Sequence, residues 1–188
     1  MMKVILLAIL FYPLTIFSQE NFCPCNFRMI TSAGMVAGES SAKPLFQLSS
    51  GITYHRFYTG IGTGIDPYRF HSIPLFADWR MDLGKKRSVF VYGNAGYNFP
   101  YDNKEAVTDP SKISDRFTGG FYMDAGLGYR LSLNKMNRML LSAGYSHKRI
   151  NNVIGYRYFW CRACEEEIYT YQYDLGRIIA KLSWEFGK

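Results

Sequence analysis

Eight polar residues recur at alternate positions of short runs that are otherwise apolar or small: Asp78, Arg80, Asn94, Asp124, Arg130, Arg177, Lys181 and Glu185. Acids and bases confined together pair as ions, because pairing is what offsets the desolvation of charge in an interior. The same groups could relay a proton, or two carboxylates could serve as general acid and base. A structural plug of ion pairs is the expectation, with an ion path or a catalytic carboxylate pair as the alternatives.

Other constellations offer less. His71-Ser72 pairs a base with a hydroxyl, the start of acyl-transfer chemistry on lipid at a membrane edge. Adjacent residues on a strand point to opposite faces, so these two do not readily meet, and His55 and His147 supply no better partner. Gly60-Ile-Gly-Thr-Gly64 has the spacing G-x-G-x-G with no helix after it, which is not a dinucleotide fingerprint. Its glycines share one parity and would leave room for bulky inward neighbours such as Arg80 or Tyr92. No cofactor motif stands out, and neither catalysis nor a metal is expected.

The cysteines come as Cys23-Pro-Cys25 and Cys161-Arg-Ala-Cys164. In an exported chain disulfides persist, so a local Cys161–Cys164 bridge is expected, with free thiols as the alternative. A four-cysteine zinc site would need both pairs on one side of a membrane. Around the second pair lie Tyr156, Tyr158, Trp160 and Tyr169, beside Glu165-Glu166-Glu167. Exposed Tyr and Trp give contact area at low entropic cost, which makes this the candidate recognition loop. A hairpin that merely prolongs its flanking strands is the plainer reading.

What positions these residues is a set of strands. Leu175 to Phe186 places Ile178, Ala180, Leu182, Trp184 and Phe186 on one parity and Arg177, Ile179, Lys181, Ser183 and Glu185 on the other. One face is greasy and the other charged, as in a strand that separates two solvents. The split recurs over 73–82, 89–98, 121–130 and 139–148, more weakly over 46–55 and 57–66, and least distinctly over 28–38, where small residues dominate. Eight strands of about ten residues match the length a tilted strand needs to cross a bilayer.

The joins alternate in length. Those at 55–56, 83–88 and 132–137 are short, whereas the two longest, 99–115 and 149–174, fall in the other set with 39–44 and 67–71. Short turns at one end and long loops at the other are typical of outer-membrane barrels. With even-numbered strands running down, Tyr54, Phe57, Trp79, Tyr129, Trp184 and Phe186 gather at one rim, expected to be periplasmic, and Phe46, Tyr97, Phe121 and Tyr145 at the other.

Composition agrees: Tyr 15, Phe 14 and Gly 17 favour strands, and beyond the N-terminus no 18-residue window is free of charge, which excludes a helical membrane protein. Lys3 followed by the apolar run 4–17 and the small residue Ser18 reads as a cleaved signal peptide over 1–18, leaving a periplasmic segment at 19–27 and a barrel over 28–186. Loss of Lys3 takes the formal charge from +7 to +6. Export and the scatter of the basic residues argue against nucleic acid. A soluble eight-stranded ligand carrier is the rival fold, but it would keep its apolar parity inside.

Phe17-Ser18-Gln19, the stretches Tyr58–Asp66 and Ser72–Arg80, Gly126-Leu127-Gly128-Tyr129 and the closing Trp184-Glu185-Phe186 together resemble the small eight-stranded outer-membrane β-barrel proteins typical of Bacteroidota, similar in architecture to the OmpA transmembrane domain and OmpX. The resemblance implies an all-β, antiparallel, up-and-down transmembrane barrel of the outer membrane and no single activity. The terminal aromatics look like the signal read by barrel-assembly machinery, although Gly187-Lys188 follow them. Expected partners are outer-membrane lipid and lipopolysaccharide, whose phosphates Lys104, Lys112 and Arg116 could meet, and a surface protein. A structural or surface-interaction role is expected, with a loop-based binding module and a membrane-embedded lipid-modifying enzyme as alternatives.

Overall fold

A computed structural model of the chain describes residues 25–39, 41–101, 112–134, 136–156 and 167–187. Alternation in the sequence becomes alternation in burial: along β4 (Ser72–Leu83) every second side chain from Ser72 to Asp82 is buried, while Ile73, Leu75, Ala77 and Trp79 face out. The same two-residue period runs through β1 (Asn26–Ala37), β2 (Ala42–Tyr54), β3 (Phe57–Ile65) and β5 (Val89–Pro100). It continues through β7 (Gly120–Ser132) and β8 (Asn137–Tyr156), and β9 (Glu167–Gly187) ends the set.

The strands pair antiparallel in the order β1-β2-β3-β4-β5-β7-β8-β9, and β9 returns to β1 from Arg28↔Gly187 to Ala37↔Ile178, so the sheet closes on itself. Closure leaves no sheet edge through the barrel wall. The short β6 (Lys112–Thr118) does not add a ninth stave. It pairs with β8 through Thr118↔Asn151, and β7 resumes on the same partner at Tyr122↔Lys148, one residue out of step. Gly119 is the extra residue, so β6 and β7 form one stave with a bulge. The barrel therefore has eight staves, and it is all-β.

Two expectations take a definite form, the first as the plainer of its two readings. The 149–174 segment is in large part strand, because β8 and β9 stay paired from Arg149↔Asp174 up to Tyr156↔Glu167 and project as a hairpin beyond the barrel. The glycines of β3 do make room for a bulky inward neighbour, and at Gly62 it is Phe76 instead of the Arg80 or Tyr92 expected. A side chain at Gly62 would sit 2.5 Å from the ring of Phe76, which fills that space from β4.

The exterior is apolar from rim to rim, with Ile61, Leu75, Leu127 and Ile178 among the most exposed side chains. Apolar outside and charged inside is the reverse of a soluble ligand carrier, and it is the arrangement that hydrocarbon solvates. The rings expected at two rims all face outward. Phe57 lies 6.3 Å from Trp79 and Trp184 6.0 Å from Phe186 at the turn end, while Tyr97 pairs with Phe121 at the loop end.

Candidate functional site

The strands aim their second parity into a lumen that an eight-stranded barrel makes only wide enough for side chains. What fills it is layered. At the turn end, Arg28 of β1 and Arg138 of β8 both donate to Glu185 Oε1, at 2.7 and 2.8 Å, and Arg130 of β7 reaches Asp82 at 2.6 Å and Glu185 at 3.5 Å. Glu185 thus serves three guanidiniums from three strands.

Above it, Phe90 lies between two cations, with Arg130 5.5 Å and Arg80 5.9 Å from its ring centre. Its ring occupies the space that a side chain at Gly128 would need, 2.2 Å from the position of a Cβ there. Tyr92 and Leu140 pack with it as a buried apolar layer.

The middle layer is a double pair. Arg80 grips Asp78 in bidentate fashion, Nε to Oδ1 at 3.0 Å and Nη2 to Oδ2 at 2.9 Å, and Ser49 Oγ donates to the same carboxylate at 2.6 Å. Lys181 donates to Asp124 at 2.5 Å and lies 4.2 Å over the ring of Tyr92, whose hydroxyl donates to Asp124 Oδ1 at 3.0 Å. Asn94 sits between the two carboxylates. With its amide nitrogen turned to β4 it donates to Asp78 Oδ1 at 3.1 Å and to the Gly93 carbonyl at 3.2 Å, the orientation that satisfies both ends of the amide. Gln47 Nε2 donates to the Tyr122 hydroxyl at 2.7 Å and extends the layer upward.

At the loop end the connection from β3 to β4 turns inward and is tied there. Arg177 donates to Asp66 Oδ2 at 2.6 Å and to Ser146 Oγ at 2.8 Å, with both ionic side chains fully buried. Lys148 Nζ donates to the carbonyls of Asp66, Tyr68 and Phe70 at 3.2, 3.2 and 2.7 Å. Tyr68, held against Arg177, closes with Val36, Leu45, Leu175 and Ile179 into an apolar cap.

No protein-family model and no curated protein sequence matches the chain. Solved structures do. The crystal structure of the outer membrane protein OprG from Pseudomonas aeruginosa superposes with a TM-score of 0.56 at 11% identity, over 88% of this chain and 96% of that one. The outer membrane protein AlkL, determined in lipid bilayers, superposes with a TM-score of 0.50 at 8% identity, over 91% and 93% of the two chains. The fold is that of an outer-membrane β-barrel.

Within this outer-membrane barrel the eight polar residues singled out in the sequence all lie inside, but not as one cluster. Asp78, Arg80, Asn94, Asp124 and Lys181 share the middle layer; Arg130 and Glu185 belong to the turn end and Arg177 to the loop end. Asp82, the partner of Arg130, and Lys148, which ties down the β3–β4 connection, stood on the inward parity without being singled out. Arg28 was obscured by the small residues of β1, and Asp66, the last inward position of the 57–66 alternation, was not singled out although it too is buried. Tyr92 was read as a bulky inward neighbour but not as part of the polar network, and Tyr58 and Tyr122 were not singled out, because an aromatic on the inward parity carries no charge signal.

Ser72 is buried, with Oγ 3.4 Å from the Asn98 side chain and from the Asp66 carbonyl, whereas His71 faces out toward Tyr101. Of the recognition residues, Tyr156 meets Tyr169 edge to face at 5.8 Å on the projecting hairpin. Tyr158, Trp160, Cys161, Cys164, Cys23, Lys104 and the 1–18 segment lie outside the described residues; Lys112 is described only in its pairing, and Arg116 is exposed.

Proposed function

We propose that the chain is an integral outer-membrane protein, exported by its 1–18 signal, whose barrel conducts no solute and whose role is structural or in surface contact. The observation that carries this reading is the lumen itself: ion pairs at the two ends and the middle, an aromatic layer at Phe90 and a pinned loop across the far mouth. Water-filled passage would require breaking several buried pairs at once, each strongly unfavourable to break alone. Loop asymmetry supports turns in the periplasm and the β8–β9 hairpin at the cell surface, and the motif order supports a place among the small barrels of Bacteroidota. Trp184-Glu185-Phe186 fits recognition by barrel-assembly machinery, and the apolar exterior fits lipid and lipopolysaccharide as neighbours.

Liposomes carrying the refolded protein are expected to swell in iso-osmotic arabinose no faster than empty ones. Swelling that scales with protein content would overturn the closed-barrel reading.

A second reading is a surface binding module built on 99–115 and 149–174. The projecting hairpin favours it, since Ile168, Tyr169 and Tyr171 are exposed beyond the barrel wall. Replacing 151–171 by a short turn should leave a folded barrel in both cases; a binding module alone would lose capture of a surface partner.

A further inference from the structure

The interior charges balance in the middle layer, where Asp78 meets Arg80 and Asp124 meets Lys181. They do not balance at the turn end. A pocket of about 230 Å³ there is lined by Arg28, Arg130 and Arg138 and, at its exposed margin, by Lys86 and Arg87, and among the described residues only Asp82 and Glu185 oppose these five cations, a surplus of three. A second pocket, of about 260 Å³, shares Arg28 and Arg87 and is bordered by Thr53.

Residues that line this space carry buried polar atoms without partners. Among the described residues, Arg28 Nε, Arg130 Nε and Thr53 Oγ1 have no hydrogen-bond partner, and all three side chains are at least nine-tenths buried. A buried donor left unpaired costs its desolvation, which an incoming oxygen acceptor would recover. Ser88 and Ser132 add hydroxyls to the lining.

The cradle is also held in place. Arg87 adopts φ 53, in the left-handed region, its Nη1 donates to the His55 carbonyl at 3.3 Å, and its own carbonyl accepts from Arg130 at 3.4 Å. Backbone strain at a non-glycine residue persists where surroundings hold it, and such positions cluster at ligand clamps.

We propose that the turn end of the barrel binds a phosphate group, entering from the aqueous side between the β4–β5 turn and the base of β1. Phosphate presents several acceptor oxygens and more than one negative charge, which matches the convergent guanidiniums, the hydroxyls and the surplus of three. The phosphate belongs either to a free phosphorylated solute or to the headgroup of an anionic phospholipid at the rim.

Calorimetric titration of inorganic phosphate and of pyrophosphate into the full-length refolded protein tests this at constant ionic strength, first in zwitterionic micelles. Saturable binding is expected. Arg87→Gln and Lys86→Gln, both exposed side chains outside the buried ion pairs, should each weaken it about tenfold, the effect of losing one hydrogen bond to a charged group. Lys43→Gln, at the opposite end, should leave it unchanged. Repeating the titration in phosphatidylcholine and in phosphatidylglycerol nanodiscs separates the sources. Pyrophosphate binding suppressed only by phosphatidylglycerol assigns the lipid headgroup, and binding equal in both assigns a free solute. Dilution heats alone in micelles and both nanodiscs, or Arg87→Gln binding like the parent, would overturn the site.

Discussion

Arg177 and Asp66 stand 111 residues apart in the chain and 2.6 Å apart in the barrel, with no solvent reaching either side chain. The contact joins the last strand to the loop after the third. It makes the loop end of the lumen depend on closure of the whole barrel, since β9 is also the strand that seals against β1.

Removing Asp66 leaves the buried Arg177 unpaired, and removing Arg177 leaves Asp66 with the buried Lys148, 3.5 Å away, in place of a bonded guanidinium. Arg177→Met and Asp66→Leu are each expected to lower unfolding stability by about 3–5 kcal/mol. The double variant should cost less than Asp66→Leu alone, because it removes the stranded guanidinium and leaves only Lys148, 3.5 Å from Asp66, without its carboxylate. Urea unfolding of the refolded protein in micelles, followed by tryptophan emission, measures all three.

Lys148 fixes the β3–β4 loop through three carbonyls, and among the described residues nothing else donates to all three. Lys148→Met should free 66–71 while the wall stays intact. Hydrogen exchange at Phe70 and Arg69 is expected to quicken by at least tenfold with exchange in β4 and β5 unchanged; uniform quickening across the barrel would show that Lys148 supports the wall instead.

Phe90 and Gly128 fit because one has no side chain. Gly128→Val should cost about 1–3 kcal/mol through overpacking. Adding Phe90→Ala should return part of that loss by removing the ring it strikes. Heat-modifiable gel mobility across a urea series reports the folded fraction for both.

The apolar wall predicts its own sensitivity. Ala77→Arg, at an exposed position midway along β4, should destabilise the protein by about 2–4 kcal/mol in lipid, the effect of a cation facing the middle of a bilayer. Lys43→Arg at the loop end should be neutral.

On the projecting hairpin, donation by Gln172 and then by Arg149 holds the Asp174 carboxyl below its usual range. A depressed folded pKa stabilises the hairpin above the unfolded carboxylate range, and that support disappears as pH falls through the folded value. Side-chain NMR titration should find the Asp174 midpoint lower than that of a model peptide, and Arg149→Gln should raise it.

Parity carried most of this fold in advance, because a wall between hydrocarbon and a charged lumen forces alternation on every stave, and the boundaries of β4, β5 and β7 fell within two residues of where the alternation begins and ends. The layers were less legible. Alternation says which way Arg130 points but not how far along the axis it lies, so Glu185 and Asp124 looked alike although they sit in different layers. Register fixes that depth, and strand pairing is set by residues far apart in sequence. Asp66 ends the inward parity of 57–66, but its partners Arg177 and Lys148 could not be named in advance, because they reach it from strands far away in the sequence.

The central claim is that side chains close the lumen along its length, and single-channel recording in planar bilayers tests it most directly. The refolded protein, inserted at high density in 1 M potassium chloride, is predicted to give no discrete steps above the bare-membrane baseline. Reproducible ohmic steps that vanish on heat denaturation would contradict the account.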